Sequence, residues 1–283
     1  MTGSTGTIGA ELVRLLAATG VETRAVFRDA AKARSLPSSV ERVQADLADP
    51  RQCADALAGT SGLFLLTGND PGFGRVQIAA VEAAERAGVQ HLVKLSALGA
   101  SDHSRSSIGR DHWVVEQAIQ QTHMPWTFLR PHAFMQNWLG DLAASVRAEG
   151  VIYSPIGAGR VPFIDTRDIA AVAAEVLLHP EAHGGKKYVL TGGAAVGYAD
   201  LAAALSEALG RTITYRPITM EEARARLAAR GVPAATIEAT LAIAAYQRDG
   251  GPTARVSPAV ERLLGRPPTT IRDFVRAYAA RFA

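Results

Sequence analysis

The chain has 283 residues, of which 48% are hydrophobic and 20% are charged. This balance is typical of a globular protein, and the length suits either one large α/β domain or a nucleotide-binding domain with a smaller lobe. The net charge of +3 comes from dispersed arginines rather than from a basic block, so we expect no nucleic-acid partner.

The composition also argues against disulfide-rich, membrane and metal-binding proteins. Cys53 is the only cysteine, which excludes internal disulfides and multi-cysteine metal sites. No apolar run reaches the length that spans a membrane, and no basic stretch followed by an apolar one opens the chain. We therefore expect a cytoplasmic protein without a membrane partner, and no His, Asp or Glu spacing indicates a metal site.

The first predicted element is a glycine-rich turn that leads into a helix, Thr2-Gly3-Ser4-Thr5-Gly6-Thr7-Ile8-Gly9. Gly3 would permit the tight turn, Gly6 would let backbone amides approach a pyrophosphate, and Gly9 would let the helix lie close to the sheet. Apolar residues continue at helical spacing until Gly20. The helix N-terminus would hold the phosphates of a dinucleotide. We predict cofactor contacts from Gly3, Ser4, Thr5, Gly6, Thr7 and Ile8.

Such a turn ordinarily follows a strand of about five apolar residues, whereas only Met1 and Thr2 precede Gly3. Two interpretations stay open. The recorded chain has lost residues of its first strand, or the central strand is short. Glycine triplets also occur in ordinary flexible turns, so the later elements have to support the nucleotide-binding interpretation.

The next predicted strand, Thr23 to Phe27, ends at Arg28 and Asp29. In a doubly wound sheet this position faces the adenosine ribose, where a basic residue can pair with a 2′-phosphate and an acidic one accepts from a 2′-hydroxyl. Asp29 can instead pair with Arg28 or cap the next short helix. We therefore favour NADP(H) over NAD(H), with Arg28 as the contact.

Two further strands end at candidate cofactor residues. The strand Glu41 to Ala45 leads to Asp46 and Leu47, where a carboxylate can accept a hydrogen bond from an adenine amino group; a turn aspartate is an equally good interpretation. The apolar run from Gly62 to Gly68 is typical of a strand covered on both faces. Its end, Thr67 and Gly68, would border the dinucleotide.

Strands and helices continue to alternate up to residue 130, with strands at Leu92 to Ser96 and Trp126 to Arg130 and helices at 50–57, before Gly88 and at Asp111 to Gln121. This alternation predicts a Rossmann-type, doubly wound parallel sheet with right-handed crossovers, in an NADP-binding domain over residues 1–150.

Beyond residue 137 the pattern changes to short strands, at Val151 to Tyr153 and Val161 to Ile164 among others, and to helices near 220–230, 234–247 and 269–281. No Gly/Ser-rich linker separates the two halves. We predict a smaller mixed α/β C-terminal lobe over residues 151–283 that packs directly on the first domain and shapes the substrate pocket.

Many dehydrogenases of this architecture use a Tyr-x-x-x-Lys pair for proton transfer. No tyrosine of this chain has a lysine four residues later. The corresponding helix, Arg110 to Ile119, carries His112 and Glu116, which share a face and can contact each other.

Several segments match one family together, namely the opening turn, Arg28, Lys94-Leu95-Ser96-Ala97, the helix with His112 and Glu116, Pro125 to Pro131, Phe134-Met135-Gln136-Asn137, Phe163 to Ala170 and Tyr188 to Gly192. Over almost its whole length the chain resembles the NmrA-like, atypical branch of the short-chain dehydrogenase/reductases. It is similar to the members that reduce quinones and triphenylmethane dyes. The resemblance implies an NADP(H)-binding Rossmann domain, a small C-terminal lobe and hydride transfer to an electron-poor conjugated acceptor.

The resemblance also implies roles for individual residues. Cofactor contacts would come from Ser96 and Ala97, and Pro131, His132 and Phe134 would run beside the nicotinamide. Phe134, Asn137 and Trp138 would reach the substrate. Relatives in the isoflavone-reductase branch carry a catalytic lysine where this chain has His112, so His112 is the candidate proton donor. Two alternatives stay open: His112 bonds Glu116 or the nicotinamide ribose, and His132 fixes the backbone.

The missing Tyr-Lys pair favours acceptors whose reduced form is stabilised by delocalisation, because a simple ketone would leave a localised alkoxide that needs a proton donor. We therefore expect an NADPH-dependent oxidoreductase of quinone-like or extended conjugated aromatic acceptors, as a monomer or homodimer. The alternative is a non-catalytic NADP(H) redox sensor of the same family. A nucleotide-sugar epimerase is disfavoured, since that chemistry requires the missing tyrosine.

Overall fold

The computed structural model describes residues 1–283, apart from the side chains of residues 251 and 252. The chain forms two units, and each unit is assembled from separate segments. Unit 1 consists of Met1–Ser104, Ile108–Pro131 and Thr166–Val189. Unit 2 consists of Arg105–Ser107, His132–Asp165 and Leu190–Ala283.

Unit 1 contains a parallel sheet with helices between its strands. The strands are β1 (Arg24–Phe27), β2 (Glu41–Gln44), β3 (Gly62–Leu65), β4 (His91–Leu95) and β5 (Trp126–Pro131), and β7 (Lys186–Leu190) lies beside β5. The pairs β1 with β2, β3 with β4 and β4 with β5 are all parallel. The predicted α/β Rossmann-type fold is confirmed.

Met1 and Thr2 join the two parts of this sheet. The amide of Val26 in β1 donates to the carbonyl of Met1 at 2.9 Å, and the amide of Thr2 donates to the carbonyl of Phe64 in β3 at 3.0 Å. The buried Thr2 hydroxyl donates to the carbonyl of Leu66 at 2.8 Å. Two residues therefore provide the ladder contacts at the position of a central strand.

The helices of unit 1 bury their apolar faces against the sheet. They are α1 (Thr7–Thr19), α2 (Pro50–Leu57), α3 (Phe73–Arg86), α4 (Ser107–Gln120), whose first residue belongs to unit 2, and α6 (Thr166–Leu178). Helix α6 packs on α1 and on β3, β4 and β5. Helices α2, α3 and α4 share one apolar core with alternate residues of the strands, such as Leu63, Leu65, Leu92 and Phe128. Such alternation is what a sheet covered on both faces requires.

Unit 2 is a mixed α/β unit. Its strands β6 (Val151–Ser154) and β8 (Thr214–Pro217) pair in parallel. Its helices are α5 (Asp141–Glu149), α7 (Tyr198–Leu209), α8 (Met220–Ala228), α9 (Ala234–Arg248), α10 (Ala259–Leu264) and α11 (Ile271–Ala277). The core contains Trp138, whose ring lies 4.8 Å from that of Phe163 and 5.5 Å from that of Phe274, centroid to centroid.

Some predicted boundaries differ from the structure. Residues 132–150 belong to unit 2, and residues 166–189 return to unit 1 because α6 and β7 complete its helix layer and sheet. The predicted strand over 161–164 is wrong: Val161 and Ile164 make only isolated bridges, and Pro162 lacks the amide that a continuous ladder needs. Helix α4 begins at Ser107 rather than at Asp111, and α10 was not predicted.

None of the described helices has the length and apolar character needed to cross a membrane. Among the described residues, no group of three or more His, Cys, Asp or Glu side chains is arranged to hold a metal ion.

Candidate active site

The opening turn has the geometry of an anion-binding loop. Gly3 has a φ of +63°, and a Cβ atom there would lie 2.7 Å from the carbonyl oxygen of Leu66. Gly6 is the N-cap of α1, and a Cβ on it would meet only the Gly3 carbonyl, at 3.4 Å. The helix has no side-chain cap, so its first amides are available to a ligand.

Gly9 has a different role from the predicted one. A Cβ atom on Gly9 would lie 2.0 Å from the carbonyl oxygen of Gly3 and 3.0 Å from Cα of Ser4. The close approach is therefore between α1 and the turn itself. Only glycine at this position lets the turn fold back over the helix start.

The side chains of the turn divide into buried and exposed groups. Ser4 is fully buried, and its hydroxyl donates to the carbonyl of Val26 at 2.7 Å, which fixes the turn to β1. Ile8 is buried in the core, so only its backbone can serve a ligand. Thr5 is half-buried, and Thr7 is exposed.

The side chains of Arg28 and Asp29 do not pair with each other. One carboxylate oxygen of Asp29 accepts from the amides of Ala31 and Lys32 at 2.9 and 3.4 Å, so Asp29 caps the following short helix. The Arg28 side chain is 71% exposed, and its guanidinium lies 3.9 Å from the Asp70 carboxylate. A bound phosphate would compete only with this weak surface contact.

The candidate adenine contact has a local structural role. Asp46 accepts from the amide of Ala48 at 3.0 Å, which is the bond of a turn aspartate. The Leu47 side chain is buried in the core of unit 1. These contacts favour the turn interpretation, although the second Asp46 carboxylate oxygen has no bond to the described residues.

Four candidate cofactor residues lie just after the ends of β3 and β4, namely Thr67, Gly68, Ser96 and Ala97. The Thr67 hydroxyl donates to the Gly68 carbonyl at 3.0 Å and accepts from the Gln77 amide at 2.7 Å. Gly68 is exposed, Ser96 is buried and Ala97 is half-buried. Pro131 is buried at the end of β5.

The lysine cluster consists of Gln77, Lys94 and His112. Lys94 of β4 is fully buried, and its ammonium donates to Gln77 Oε1 at 2.6 Å and to the Leu95 carbonyl at 3.1 Å. The third contact of Lys94 Nζ is His112 Nδ1, at 3.2 Å. The His112 ring lies against Phe73, with centroids 4.9 Å apart.

The carboxylate cluster consists of Ser96, Glu116 and Arg130. The Ser96 hydroxyl donates to Glu116 Oε1 at 2.5 Å, and Arg130 Nε donates to the same oxygen at 2.8 Å. Arg130 Nη2 also donates to Glu116 Oε2, which completes a bidentate ion pair. The expected contact between His112 and Glu116 does not form: His112 contacts Lys94 of β4, and Glu116 accepts from Ser96, which directly follows that strand.

Burial controls the protonation of the lysine cluster. Desolvation lowers the pKa of Lys94 to about 7, and the nearby charge of Glu116 only partly opposes that shift. Desolvation also holds the pKa of His112 well below its ordinary value, and the charge of Lys94 adds to the effect. His112 is therefore neutral near pH 7 when Lys94 is protonated.

His132 of unit 2 fixes the backbone. Its Nδ1 accepts from the amide of Ala133 at 2.6 Å, and its Nε2 lies 3.0 Å from the carbonyl of Thr253, to which it donates. Burial lowers its pKa to about 4. Both ring nitrogens are occupied, so the structure favours the backbone-fixing interpretation over a ligand contact.

Unit 2 contains a cavity of about 720 Å³, which suits a molecule of drug or dye size. Phe134, Asn137 and Trp138 all line it, together with Tyr153, Phe163 and Tyr198. Asn137 is exposed, whereas Trp138 is 2% exposed and serves mainly as a core residue. The three predicted substrate residues therefore share one aromatic cavity.

Sequence reasoning missed three members of the polar clusters. In the sequence, Lys94 belongs to a segment that matches the family, and a lysine inside the apolar run of a buried strand is itself unusual. Gln77 and Arg130 carried no distinguishing pattern. Their positions on α3 and β5 become meaningful only when those elements lie beside β4 and α4.

The chain matches a known protein family over nearly its whole length. The model of the NmrA-like family matches residues 1–272. The chain belongs to the NmrA-like family. One similar protein is the NAD(P)H azoreductase of Xenophilus azovorans. It is 40% identical over 283 residues, which cover 99% of this chain and 97% of the relative.

Two solved structures have a fold similar to that of this NmrA-like chain. The NADPH-dependent quinone oxidoreductase QOR2 of Escherichia coli, complexed with NADPH, is 28% identical with a TM-score of 0.88 and covers 98% of both chains. The triphenylmethane reductase of Citrobacter sp., complexed with NADP(H), is also 28% identical, with a TM-score of 0.87 and the same coverage. The NmrA-like fold of this chain is thus shared with reductases over nearly its full length.

Proposed function

We propose that this chain is an NADPH-dependent oxidoreductase that transfers hydride to quinone-like or other extended conjugated aromatic acceptors, azo compounds included. The observation that carries the proposal is the opening turn, in which Gly3 and Gly9 permit close backbone packing while Gly6 leaves the helix N-terminus open. The names of the NmrA-like relatives support the same activity.

The residues present fit a dinucleotide phosphate. The uncapped amides of α1 suit the pyrophosphate, and the exposed guanidinium of Arg28 suits a 2′-phosphate. Thr5 and Thr7 offer additional hydroxyls, whereas Ser4 supports the turn from beneath. When bound, the dihydronicotinamide supplies a hydride, which comprises two electrons and one proton.

Other groups of the chain would serve the acceptor. The aromatic cavity of unit 2 suits flat conjugated rings, and Asn137 offers an amide for a carbonyl or azo nitrogen. In unit 1, His112 Nε2 has no hydrogen-bond partner among the described residues. We assign to it the transfer of a proton to reduced acceptors that need one.

Oxidation of NADPH, followed near 340 nm with a panel of quinones, azo dyes and cationic triphenylmethane dyes, tests the activity. We expect turnover with several conjugated acceptors. Cofactor binding without turnover of any acceptor would contradict the proposal and favour the redox-sensor alternative.

The choice of cofactor is tested separately with Arg28→Ala. Loss of a charge-assisted contact to the 2′-phosphate should weaken NADPH binding by about 1.5–3 kcal/mol and leave NADH binding almost unchanged. Fluorescence titration with both dinucleotides measures the difference. Arg86→Ala, at an exposed arginine of α3, is the matched control. Equal losses for NADPH and NADH would remove Arg28 from the 2′-phosphate site.

A further inference from the structure

Lys94 is a fully buried cation that has no ion-pair partner among the described residues. Its Nζ atom contacts Gln77 Oε1, the Leu95 carbonyl and His112 Nδ1, all of which are neutral acceptors. The carboxylate whose charge acts on Lys94, that of Glu116, is already bonded to Ser96 and Arg130. Buried lysines are costly, so this one is expected to have a function.

The contact with Lys94 determines which nitrogen of His112 carries the proton. Lys94 Nζ has only donors when protonated, so Nδ1 of a neutral His112 must accept and Nε2 must carry the hydrogen. That Nε2–H has no partner among the described residues and is free to donate. A neutral imidazole alone is a very weak acid, however, because giving up its only N–H would leave an anionic ring.

We propose that Lys94 is the source of the proton that His112 delivers, so that the two side chains form a relay for acceptors whose reduction leaves a localised anion. The inference rests on the proposed function. His112 Nε2 gives its proton to the reduced acceptor while Nδ1 takes one from Lys94 Nζ. The ring remains neutral throughout, and the ammonium becomes an amine. After product release the two transfers reverse, with water supplying the proton to Nε2.

The proton balance distinguishes two acceptor classes. Hydride addition to one nitrogen of an azo group leaves an anion on the other nitrogen, and one proton completes the hydrazo product. Hydride addition to a cationic triphenylmethane dye forms one C–H bond and gives a neutral product that needs no proton. The relay therefore matters for azo compounds and not for cationic dyes, which permits an internal comparison within one enzyme.

The pKa values agree with this assignment. A pKa of about 7 for Lys94 makes it an effective acid near neutral pH. The charge that acts on Lys94 is that of Glu116 on α4, which raises the pKa of Lys94 and is itself paired with Arg130 on β5. The relay is loaded while Lys94 is protonated, so proton delivery is lost as the pH rises through about 7.

The decisive variant is Lys94→Met, which keeps an unbranched side chain only one atom shorter and removes the ammonium group with its proton. We expect NADPH-dependent reduction of an azo dye to fall about 100-fold, in line with the usual contribution of a general acid. Reduction of a cationic triphenylmethane dye should change less than about twofold, since it involves no proton transfer. A purely structural defect would lower both rates together, and equal losses would overturn the relay.

Gln77→Glu is a second variant that retains a hydrogen-bond acceptor for Lys94. A carboxylate at this position should raise the pKa of Lys94, so the pH at which azo reduction declines should move upward by about 1–3 units. An unmoved decline would contradict the role of Lys94 even if Lys94→Met folds poorly.

A spectroscopic measurement separates the relay from the proposed function. In the protein without cofactor, ¹⁵N-histidine NMR should show His112 with its proton on Nε2 and a change in its shifts with a midpoint near pH 7. Lys94→Met should abolish that change. If the wild type reduces no acceptor but shows this titration, the proposed function fails and the coupling stands; a flat response in the wild type overturns the coupling itself.

Discussion

The lysine cluster and the carboxylate cluster both include a residue at or just after the end of β4 and a residue of α4, but they compensate charge in opposite ways. Lys94 lies on β4 and Ser96 directly follows the end of that strand, two residues later, while His112 and Glu116 are four residues apart on α4, so each pair of positions shares a face. The carboxylate cluster contains a complete ion pair. The lysine cluster contains a cation among neutral acceptors. The former suits a structural role, and the latter leaves a proton that can move.

The largest effect is expected when the complete ion pair is broken. Glu116 is fully buried and the Arg130 side chain is 20% exposed, so Glu116→Gln leaves a largely buried guanidinium without its counter-ion. We expect the free energy of unfolding in urea to fall by about 3–5 kcal/mol.

The chain offers a matched control for this substitution. Arg224 donates to Glu238 with the same bidentate geometry, at 3.0 and 2.9 Å, but both side chains are about half exposed or more. Glu238→Gln should therefore have little measurable effect on unfolding. Equal losses for the two variants would mean that burial does not distinguish these ion pairs.

The lowered pKa of Lys94 should make the free energy of unfolding depend on pH. The folded-state pKa of Lys94, about 7, lies below its value of about 10.4 in an unfolded chain. Between these values the unfolded chain binds more protons, so this residue makes stability rise with pH. We expect the difference in unfolding free energy between wild type and Lys94→Met to change by about 3 kcal/mol between pH 7 and pH 10.

Urea unfolding at several pH values measures this difference. Lys32→Met, at an exposed lysine, is the control and should give a curve parallel to that of the wild type. If the unfolding free energy of Lys94→Met also ran parallel to that of the wild type across this pH range, Lys94 would have an ordinary pKa. The contrast between the two clusters would then be lost.

The sequence predicts features that depend on neighbouring residues. The start of α2 is one example: Asp49 accepts from the amides of Arg51 and Gln52, as expected of an N-cap before Pro50. The glycine turn is another, since the positive φ of Gly3 and the open N-terminus of α1 follow from local spacing.

Partners that depend on how elements pack were not predictable in the same way. His112 and Glu116 share a helix face, yet they do not bond each other, because His112 contacts Lys94 of β4 and Glu116 contacts Ser96, just after the end of β4. The pairing of Glu116 with Arg130 depends on β5 lying beside β4 in register, with Leu95 opposite Leu129. No pattern within either segment encodes that neighbour.

The smallest expected effect concerns the third member of the carboxylate cluster. Ser96→Ala removes one charge-assisted hydrogen bond to Glu116 but leaves both contacts with Arg130 intact, so the carboxylate keeps its counter-ion. We expect a loss of about 1.5 kcal/mol in unfolding free energy, well below that of Glu116→Gln. Ser35→Ala, which removes an exposed hydroxyl bonded to the Lys32 carbonyl, should cost less. If Ser96→Ala instead lowered the unfolding free energy as much as Glu116→Gln does, the hydroxyl rather than the ion pair would be the main stabilising element. The two clusters would then differ less in charge compensation than their geometry indicates.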